Sequence, residues 1–430
     1  MSGVLRLAAD ALFVFSVVFI WLMLIYQFVL SVGGFLLRAR TRRRGRAAPP
    51  AEPPMVSILI PARNEETVIG SLLDRIAAFT YPQDKIEILV INDGSTDRTA
   101  ETVALRGRED PRIGRIDVPP GLAGRGKGAA LNLGLARASG EFIAVYDADN
   151  APEADSLALL CAALQADPRL ASVCGKFRAY NKRATWLTRF INIESIAFQW
   201  IVQAGRWLLF RIAVIPGTNF VIRASALREA GGWDERALTE DSELTFRLYD
   251  LGYRVAFLPE AVTWEQEPET LRVWFGQRTR WARGYYRLIA ERSRLLLRRK
   301  PGRMAFELFN LLWLYYFFVA AVLLSDVLFV LCLTGLARIR VLGPYAELWA
   351  LAFILFSLEV LLALAYERED ALSSLVLIPA AYLFYTKLWV LVVVHSLYQE
   401  IVLKKKGTWV KTPRFPVKPE DPRTPREGRP

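Results

Sequence analysis

Histidine and cysteine are nearly absent from this chain of 430 residues, which has one histidine and three cysteines. Cys161, Cys174 and Cys332 are scattered, so they predict neither a disulfide framework nor a zinc-ligand pattern, and they suit a reducing compartment. The single histidine, His395, lies in an apolar stretch, which favours a packed side chain over a metal ligand or general base. The composition therefore argues against a site built from histidine or cysteine.

Charge is lacking in two long parts of the sequence. Residues 11–37 are almost uncharged, and a second apolar zone fills most of residues 304–400. A bilayer span needs about 20 apolar residues, so both zones predict an integral membrane protein. A cleaved signal peptide would have a shorter apolar core and a small-residue cleavage site, whereas here a basic run follows at 38–46.

The net charge is +12, and the basic residues cluster beside the apolar zones, at 38–46, 292–300 and 404–406. No nucleic-acid motif accompanies them, which favours the positive-inside rule and attraction to anionic lipid over nucleic-acid binding. We expect a multi-pass plasma-membrane protein with lipid around it, no nucleic-acid partner, the N-terminus outside and the soluble part in the cytoplasm.

The loop charges predict five spans. Arg338 and Arg340 look cytoplasmic and "ERED" (367–370) looks external, so a break at Ser325–Asp326 gives spans near 304–324, 327–342, 344–366 and 371–400. We expect the following organisation: an N-terminal membrane helix and basic linker over 1–54, a soluble domain over 55–269, an amphipathic interface helix over 270–303, about four membrane helices over 304–403, and a cytoplasmic tail over 404–430.

Short apolar runs alternate with helical stretches in the soluble region and predict an α/β domain with a mainly parallel sheet. The strand candidates are 55–60, 86–91, 142–147, 171–177, 220–224 and 253–258, and the helical stretches include Glu65–Phe79 and Ala151–Gln165. Residues 186–212 and 271–297 mix Trp, Phe and Leu with Arg, which is typical of helices lying at the membrane surface.

Polar motifs follow strands or open helices in this domain, where open α/β sheets bind ligands. "IPARNEE" (60–66) and "VINDGSTD" (90–97) continue strands; Asp93 could hold a base or ribose, or simply form an Asn-Asp-Gly turn. "GRGKGAALNLGLA" (124–136) leads Lys127 into a helix and could bind phosphate, although its spacing is not that of a Walker A loop. "VYDADN" (145–150) closes a strand with carboxylates that could share Mg²⁺ or Mn²⁺, or form a polar loop.

Two more motifs lie towards the end of the region. "LTEDSELTFR" (238–247) predicts a helix capped by Thr239, with acids in the first turn that are either structural or chemical. In "QRTRW" (277–281), positions 1, 4 and 5 share a helix face and could grip a diphosphate and stack a sugar; the alternative is an interfacial helix with a snorkelling Arg and an anchoring Trp.

Together and in this order, the motifs resemble the membrane-embedded family 2 glycosyltransferases, which include cellulose, chitin, hyaluronan and poly-N-acetylglucosamine synthases. The resemblance rests on Asp93, the "DAD" of Asp147 and Asp149, the "TED" with Asp241, and "QRTRW", and covers roughly residues 55–300. It implies an α/β catalytic domain of the GT-A fold with amphipathic interface helices and a multi-span α-helical membrane region. It also implies a UDP-sugar donor and a growing glycan or lipid acceptor.

The resemblance implies roles for individual residues. The nucleotide would contact Pro61, Arg63, Asn64, Glu65 and Asp93. The diphosphate would be held by Lys127 and by Asp147, with Asp149 as the ligand of Mg²⁺ or Mn²⁺. Asp241, beside Glu240, would be the general base, and Gln277, Arg280 and Trp281 would line the diphosphate and acceptor site. The stretch 408–414 looks like a gating segment, in which Lys411 and Arg414 would contact the diphosphate.

These roles predict an inverting hexosyltransferase that deprotonates an acceptor hydroxyl and releases UDP. The helix dipole would favour the ionised form of Asp241. The first hypothesis is a processive synthase of a β-linked polysaccharide that could also secrete its product, with UDP-N-acetylglucosamine or UDP-glucose favoured as donor. The alternative adds one or few sugars to a lipid or other membrane acceptor. A transporter or scaffold is less favoured, because the intramembrane ionisable residues are few and do not suggest paired relays: Glu307, Asp326, Glu359 and Lys387.

Overall fold

The structure is a computed structural model that describes residues 3–44, 52–297, 302–341, 343–369, 372–404 and 412–415. One eight-stranded mixed sheet organises the soluble region, in the order β3-β2-β1-β4-β7-β6-β8-β5. Its strands are β1 Val56–Ala62, β2 Ile86–Asn92, β3 Ile113–Asp117, β4 Phe142–Val145, β5 Ala151–Pro152, β6 Leu170–Ala179, β7 Phe220–Arg223 and β8 Arg254–Glu265. Strands β3, β2, β1 and β4 are mutually parallel, whereas β7 is antiparallel to both β4 and β6.

Helices cover the sheet and continue into the membrane region. They are α1 Gly3–Arg44, α2 Ile69–Ala77, α3 Thr99–Glu109, α4 Lys127–Leu135, α5 Ser156–Ala166, α6 Trp186–Ala197, α7 Ala204–Phe210, α8 Ala224–Glu229, α9 Glu240–Asp250, α10 Leu271–Arg292, α11 Arg303–Leu312, α12 Val319–Leu333, α13 Tyr345–Tyr366, α14 Leu372–Leu375, α15 Leu377–Ala380 and α16 Thr386–Ile401. Three π-helical segments, Phe198–Gln203, Trp313–Phe318 and Ala381–Tyr385, join α6 to α7, α11 to α12 and α15 to α16.

The apolar strands are explained by burial on both faces of the sheet. Ile58 and Ile60 of β1 pack in one cluster with Leu72 of α2, whereas Leu59 packs in the other cluster with Leu131 of α4. Successive strand residues point to opposite faces, so covering both faces requires a continuous apolar run. All six predicted strands are confirmed for this reason.

The sequence did not predict two of the strands, β3 and β5. Strand β3, with the sequence IGRID, is an edge strand with one buried residue, so it lacks an apolar run. Strand β5 has two residues that pair with β8, and they displace the start of the helix predicted from Ala151 to Ser156. Both strands form because they pair with a strand that is distant in the sequence, and the local sequence pattern does not show such pairing.

In the part of the chain that the structure describes, four helices are long and apolar enough to cross a membrane: Leu7–Arg43, Arg303–Leu333, Glu347–Tyr366 and Leu372–Ile401. The predicted break at Ser325–Asp326 is wrong, because the helix runs through it to Leu333, and the region from 304 to 403 has three such helices instead of four. Lys387 donates to both carboxylate oxygens of Asp326, at 2.7 and 2.8 Å. A partner within the helices lets Asp326 remain in an apolar helix without a turn.

The loop-charge assignments also need correction. Glu367 and Glu369, predicted to be external, pair with Lys176, Arg178 and Lys182 of the sheet domain. Arg340 donates its backbone N–H to Asp10 near the start of α1, the end remote from the basic run at 38–44. The sequence alone could not predict these contacts, because the sign of a residue's charge does not identify the residue with which it pairs.

Glycines allow α1 to pack closely against α7 and the π-helical segment Phe198–Gln203 before it. A Cβ on Gly205 would lie 2.2 Å from the carbonyl oxygen of Leu30, and one on Gly34 would lie 2.0 Å from that of Trp200. Both obstacles are backbone atoms, which cannot rotate away as a side chain can. Small residues at such positions are what lets helices approach in a bilayer.

Gly205→Ala is therefore expected to destabilise the protein by about 1–3 kcal/mol, the usual cost of overpacking. Gly276→Ala is the matched control, since Gly276 also lies inside a helix and a Cβ there meets nothing within 4 Å. Thermal unfolding in detergent should show a lower Tm for Gly205→Ala and an equal or higher Tm for Gly276→Ala. Equal Tm values for both variants would contradict the close packing.

Candidate active site

The predicted motifs meet at the carboxyl edge of the parallel strands. Strands β1, β2 and β4 end at Ala62, Asn92 and Val145, so the residues that follow each strand lie on the same side of the sheet. The backbone N–H of Asp93 donates to the carbonyl oxygen of Ala62 at 2.8 Å, which joins the first two motifs directly. Parallel pairing therefore brings distant acids to one edge, as ligand binding in open α/β sheets requires.

Asp93 is anchored at this edge. The side chain is 6% exposed, and one oxygen accepts the Gly124 N–H at 2.8 Å. Arg63 lies 3.9 Å from its other oxygen. Asn64 has a left-handed backbone (φ 53°), and its side-chain oxygen accepts the Thr96 N–H at 2.7 Å. Residues 61–65, 92–97 and 123–126 thus form one rigid rim.

Lys127, the first residue of α4, connects the glycine-rich motif to the "DAD" motif. Its ammonium forms an ion pair with Asp147 and donates to the Gly217 carbonyl at 2.9 Å. Burial lowers the pKa of Lys127, but Asp147, Glu240 and Asp241 together outweigh burial and raise it. Lys127 is therefore a cation held among carboxylates where the resemblance expects a diphosphate.

Asp149 is buried and faces a cation of the chain itself. The carboxylate is 4% exposed and accepts the Gln266 N–H at 3.3 Å. The Arg414 guanidinium lies 2.8 Å from Asp149 and 3.3 Å from Glu65. Phe415 fixes this stretch, because its N–H and carbonyl both bond the Gln266 side chain, at 2.8 and 2.9 Å. Arg414 was predicted at the site and is there, whereas Lys411 lies outside the described residues.

Asp149 is a candidate ligand for a divalent cation. A guanidinium already stabilises the carboxylate, and Asp149 and Glu65 raise the pKa of Arg414 although burial opposes them. Among the residues that the structure describes, no cluster of three or more His, Cys, Asp or Glu side chains could hold a metal. Mg²⁺ commonly takes one or two carboxylates and completes its shell with substrate phosphates and water, so one buried aspartate suffices.

Asp241 lies at the start of α9, as predicted, but Thr239 makes no side-chain capping bond. A Cβ on Gly284 would lie 2.6 Å from the Thr239 hydroxyl oxygen, so α10 crosses at that point. One oxygen of Asp241 accepts the Ser242 N–H at 2.7 Å. A Cβ on Gly217 would lie 3.0 Å from the other oxygen, so glycine there lets the loop approach the carboxylate.

The pKa of Asp241 was expected to be low, and the structure contradicts this. Burial and the neighbouring Glu240 raise it to about 7, against smaller opposing effects of the Ser242 N–H, Lys127 and Arg280. The helix start supplies a donor, but desolvation of the carboxylate is the larger effect. A carboxyl group that titrates near neutrality is suited to take a proton from a hydroxyl.

The "QRTRW" motif is on α10, which passes beside the start of α9. Arg280 donates to the Leu238 carbonyl at 3.2 Å, and Glu240, Asp241 and Asp147 surround it with negative charge. Burial nevertheless lowers the pKa of Arg280. The motif thus joins the constellation through Arg280.

Sequence reasoning missed the acids at the end of β8. Burial raises the pKa of Glu265 well above its usual value, and Glu267, Asp149 and Asp147 raise it further. Burial likewise raises the pKa of Glu267 to about 7. The signal was available, because "EQEPE" (265–269) follows a strand as the other acidic motifs do. Thr218, which accepts the Asp147 N–H at 3.0 Å, lies in "PGTNFVIR" (216–223), a stretch that was itself similar to the family pattern.

Known proteins with similar sequences are glycosyltransferases. The family described as "Glycosyl transferase family group 2" matches residues 142–397. A probable glycosyltransferase of Bacillus subtilis, YdaM, is 42% identical over 413 residues, which are 94% of this chain and 98% of that protein. The poly-beta-1,6-N-acetyl-D-glucosamine synthase of Staphylococcus aureus is 30% identical over 264 residues, which are 60% of this chain and 62% of that protein.

The fold has a counterpart among solved structures. The mannosyltransferase PcManGT from Pyrobaculum calidifontis, solved with GDP-Man and Mn²⁺, aligns with a TM-score of 0.55 at 22% identity over 83% of this chain and 99% of that one. At this identity the likeness concerns the fold, and it confirms the GT-A architecture predicted from the motifs.

Proposed function

The chain belongs to glycosyl transferase family group 2 and is a glycosyltransferase, and we propose that it transfers a hexose from a UDP-sugar to the hydroxyl of a membrane-associated acceptor. The observation that carries the proposal is the convergence of Lys127 and Arg280 on Asp147, Glu240 and Asp241. Two half-buried cations beside a carboxyl group that titrates near pH 7 provide both anion binding and a base.

The donor would bind along the carboxyl edge of the sheet. Asp93 and the rim around it would hold the nucleoside, and Lys127 and Arg280 would face the diphosphate. Asp149 would hold Mg²⁺ or Mn²⁺, which when bound neutralises charge on the departing diphosphate. UDP-N-acetylglucosamine is the favoured sugar nucleotide, with UDP-glucose next, because the synthase of Staphylococcus aureus is 30% identical.

Transfer would proceed in one displacement. The acceptor oxygen forms a bond to the anomeric carbon as the bond from that carbon to the diphosphate oxygen breaks. The hydroxyl proton passes to Asp241, which must be ionised to accept it. The bonding electrons leave with UDP, whose added negative charge Lys127 and Arg280 stabilise. One displacement inverts an α-linked donor to a β-linked product.

The leading product is a β-linked polysaccharide that the membrane region helps to export. Support comes from α10, whose Trp274 donates to Tyr385 of the fourth apolar helix at 3.0 Å, so the "QRTRW" helix and the membrane region are in direct contact. The alternative product is a lipid or other membrane acceptor carrying one or few sugars. The same donor site would serve both reactions.

We place three crossings in the membrane instead of five. Glu369, before the fourth apolar helix, pairs with Arg178 at 2.5 Å, and Glu400, near its end, pairs with Arg283 at 2.5 Å. Both ends of Leu372–Ile401 are thus tied to the side of the catalytic domain, so this helix would lie along α10. Three crossings keep the N-terminus outside and the tail in the cytoplasm.

Cysteine accessibility tests the topology. In a Cys332→Ser background, an impermeant thiol reagent should label Leu336→Cys from outside intact cells and leave Leu403→Cys unlabelled until the cells are opened. Both positions are exposed in the structure, so failure to label reports the membrane and not burial. External labelling of Leu403→Cys would contradict the three-crossing arrangement.

A donor screen with purified protein tests the reaction. UDP release should require Mg²⁺ or Mn²⁺ and should be fastest with UDP-N-acetylglucosamine or UDP-glucose. Size analysis of the product then separates the two acceptor hypotheses, since only mono- or disaccharide-lipid would exclude processive synthesis. No nucleotide release with any sugar nucleotide would overturn the proposed function.

A further inference from the structure

Arg278 lies within the "QRTRW" motif, yet none of the roles above uses it. It is 2% exposed, and Gln277 and Arg280 are its near neighbours on α10. One nitrogen of the guanidinium donates to the side-chain oxygen of Gln277 at 3.2 Å. A fully buried arginine is rare unless its charge is partnered, so its contacts require an explanation.

The guanidinium of Arg278 sits between two indole rings. Its central carbon is 4.0 Å from the ring centre of Trp281 and 5.7 Å from that of Trp389. Trp281 belongs to the motif, and Trp389 belongs to α16. A desolvated cation over an aromatic face is a strong contact, and a planar guanidinium also fixes the ring orientation.

A chain of polar contacts links this arginine to the membrane region. The indole N–H of Trp274 donates to the Tyr385 hydroxyl at 3.0 Å, and that hydroxyl donates to Glu194. The same oxygen of Glu194 lies 3.5 Å from a nitrogen of Arg278. Burial lowers the pKa of Arg278, but Glu194, Tyr385 and Glu267 outweigh burial and raise it. Arg278 therefore remains charged.

We propose that Arg278 is a positioning residue that holds Trp281 and Gln277 in the orientation that receives the acceptor sugar, and that Glu194 and Tyr385 tie this orientation to the helix Leu372–Ile401. The inference rests on the proposed function. A flat indole held from behind by a guanidinium presents its free face to a sugar ring. Movement of the helix Leu372–Ile401 would then act on the acceptor end of the site without touching the donor.

Arg278→Lys tests the proposal, because lysine keeps the charge and loses the planar fork. The KM for N-acetylglucosamine oligomers, with UDP-N-acetylglucosamine as donor, should rise about tenfold, because an ammonium cannot stack flat on Trp281 while also reaching Gln277 and Glu194. The KM for the donor, and UDP release by hydrolysis without acceptor, should change less than about twofold. Arg272→Lys is the matched control, since Arg272 is on the same helix and exposed.

A double-mutant cycle separates positioning from a general structural effect. If Arg278 acts through Trp281, then adding Arg278→Lys to Trp281→Phe should raise the acceptor KM little further. Tyr385→Phe, which removes only the hydroxyl that donates to Glu194, should raise it by a smaller factor and give a usable variant if Arg278→Lys does not fold. Fully additive effects, or equal changes in donor and acceptor KM, would overturn the inference.

Different results would overturn the proposed function and the positioning role of Arg278. Wild-type protein that releases no UDP would overturn the proposed function. Wild-type protein that transfers sugar normally, while Arg278→Lys behaves like Arg272→Lys, would overturn the positioning role alone.

Discussion

Asp241→Asn is expected to lower kcat for sugar transfer by about 10²–10⁴-fold, the usual contribution of a positioned general base. Asparagine keeps the shape of the side chain and can still accept the Ser242 N–H, but it cannot take the acceptor proton. The Kd for UDP, measured by calorimetry with Mn²⁺, should stay within a few-fold of the wild-type value. Near-normal turnover of the variant would show that another group is the base.

The control is Asp250→Asn, which removes a carboxylate at the other end of the same helix. Asp250 pairs with Arg292, away from the motifs at the carboxyl edge of the sheet, so its replacement should leave kcat within about twofold of the wild-type value.

Folding of Asp241→Asn can be checked by thermal unfolding. Folding raises the pKa of Asp241 above 3.8, so the folded protein holds this proton more tightly and loses stability as pH rises through the range up to about 7. An asparagine at this position does not ionise, so Asp241→Asn avoids this loss of stability. The Tm of the variant above pH 7 should therefore equal or exceed the wild-type Tm.

The same pKa gives the wild-type reaction a characteristic pH profile. Asp241 is protonated below about 7, so kcat/KM should fall about tenfold for each pH unit below that value and level off above it. A profile that stays flat from about pH 5.5 to 8.5 would contradict a base raised by burial. The low pKa inferred from the helix start alone would predict that flat profile.

Asp149→Asn is expected to abolish metal-dependent donor binding and to lower kcat/KM for the donor by at least about 10²-fold. The carboxylate is buried, and an amide lacks the negative charge that a divalent cation requires. Titration of the donor-free protein with Mn²⁺, followed by electron paramagnetic resonance, should show weakened binding as well. This readout does not depend on turnover.

Arg414 offers a second measurement on the same site. Because its guanidinium lies 2.8 Å from Asp149, cation and guanidinium compete for one carboxylate in the donor-free protein. Arg414→Gln should therefore bind Mn²⁺ more tightly, whereas Asp149→Asn should bind it more weakly. Asp84→Asn, an exposed acid on the turn before β2, is the control and should match the wild type. Unchanged Mn²⁺ binding in Asp149→Asn would contradict its assignment as the metal ligand.

The local sequence pattern was sufficient to predict elements in which apolar residues recur along the chain. Runs such as 55–60 and 86–91 predicted strands because both faces of the sheet are buried, so nearly every residue is apolar, Ser57 and Glu87 being the exceptions. The acids that follow the strands could be assigned to one edge, since parallel strands share a direction. The order of the four motifs then indicated the family, and the helix start before Asp241 was also correct.

The tertiary structure decided what depends on distant partners. Asp326 remains inside a helix because Lys387 reaches it, and Glu367 lies against the sheet domain because Lys176 and Arg178 bind it. Neither pairing has a local signature, so counting spans by loop charge failed. The charge pattern shows where charged residues lie in the sequence, but the partner of each charged side chain depends on how the chain folds.

The sequence by itself determined six of the eight strands, the carboxyl edge and the identity of most residues there, because those follow from periodicity and strand direction. Only the tertiary structure decided the state of those residues. Asp241 was expected to ionise readily at its helix start, yet burial beside Glu240 raises its pKa to about 7. Arg414 reaches Asp149 although the two are far apart in the chain. The physical reason is that desolvation and ion pairing depend on everything packed around a group, whereas periodicity depends only on its near neighbours in the sequence.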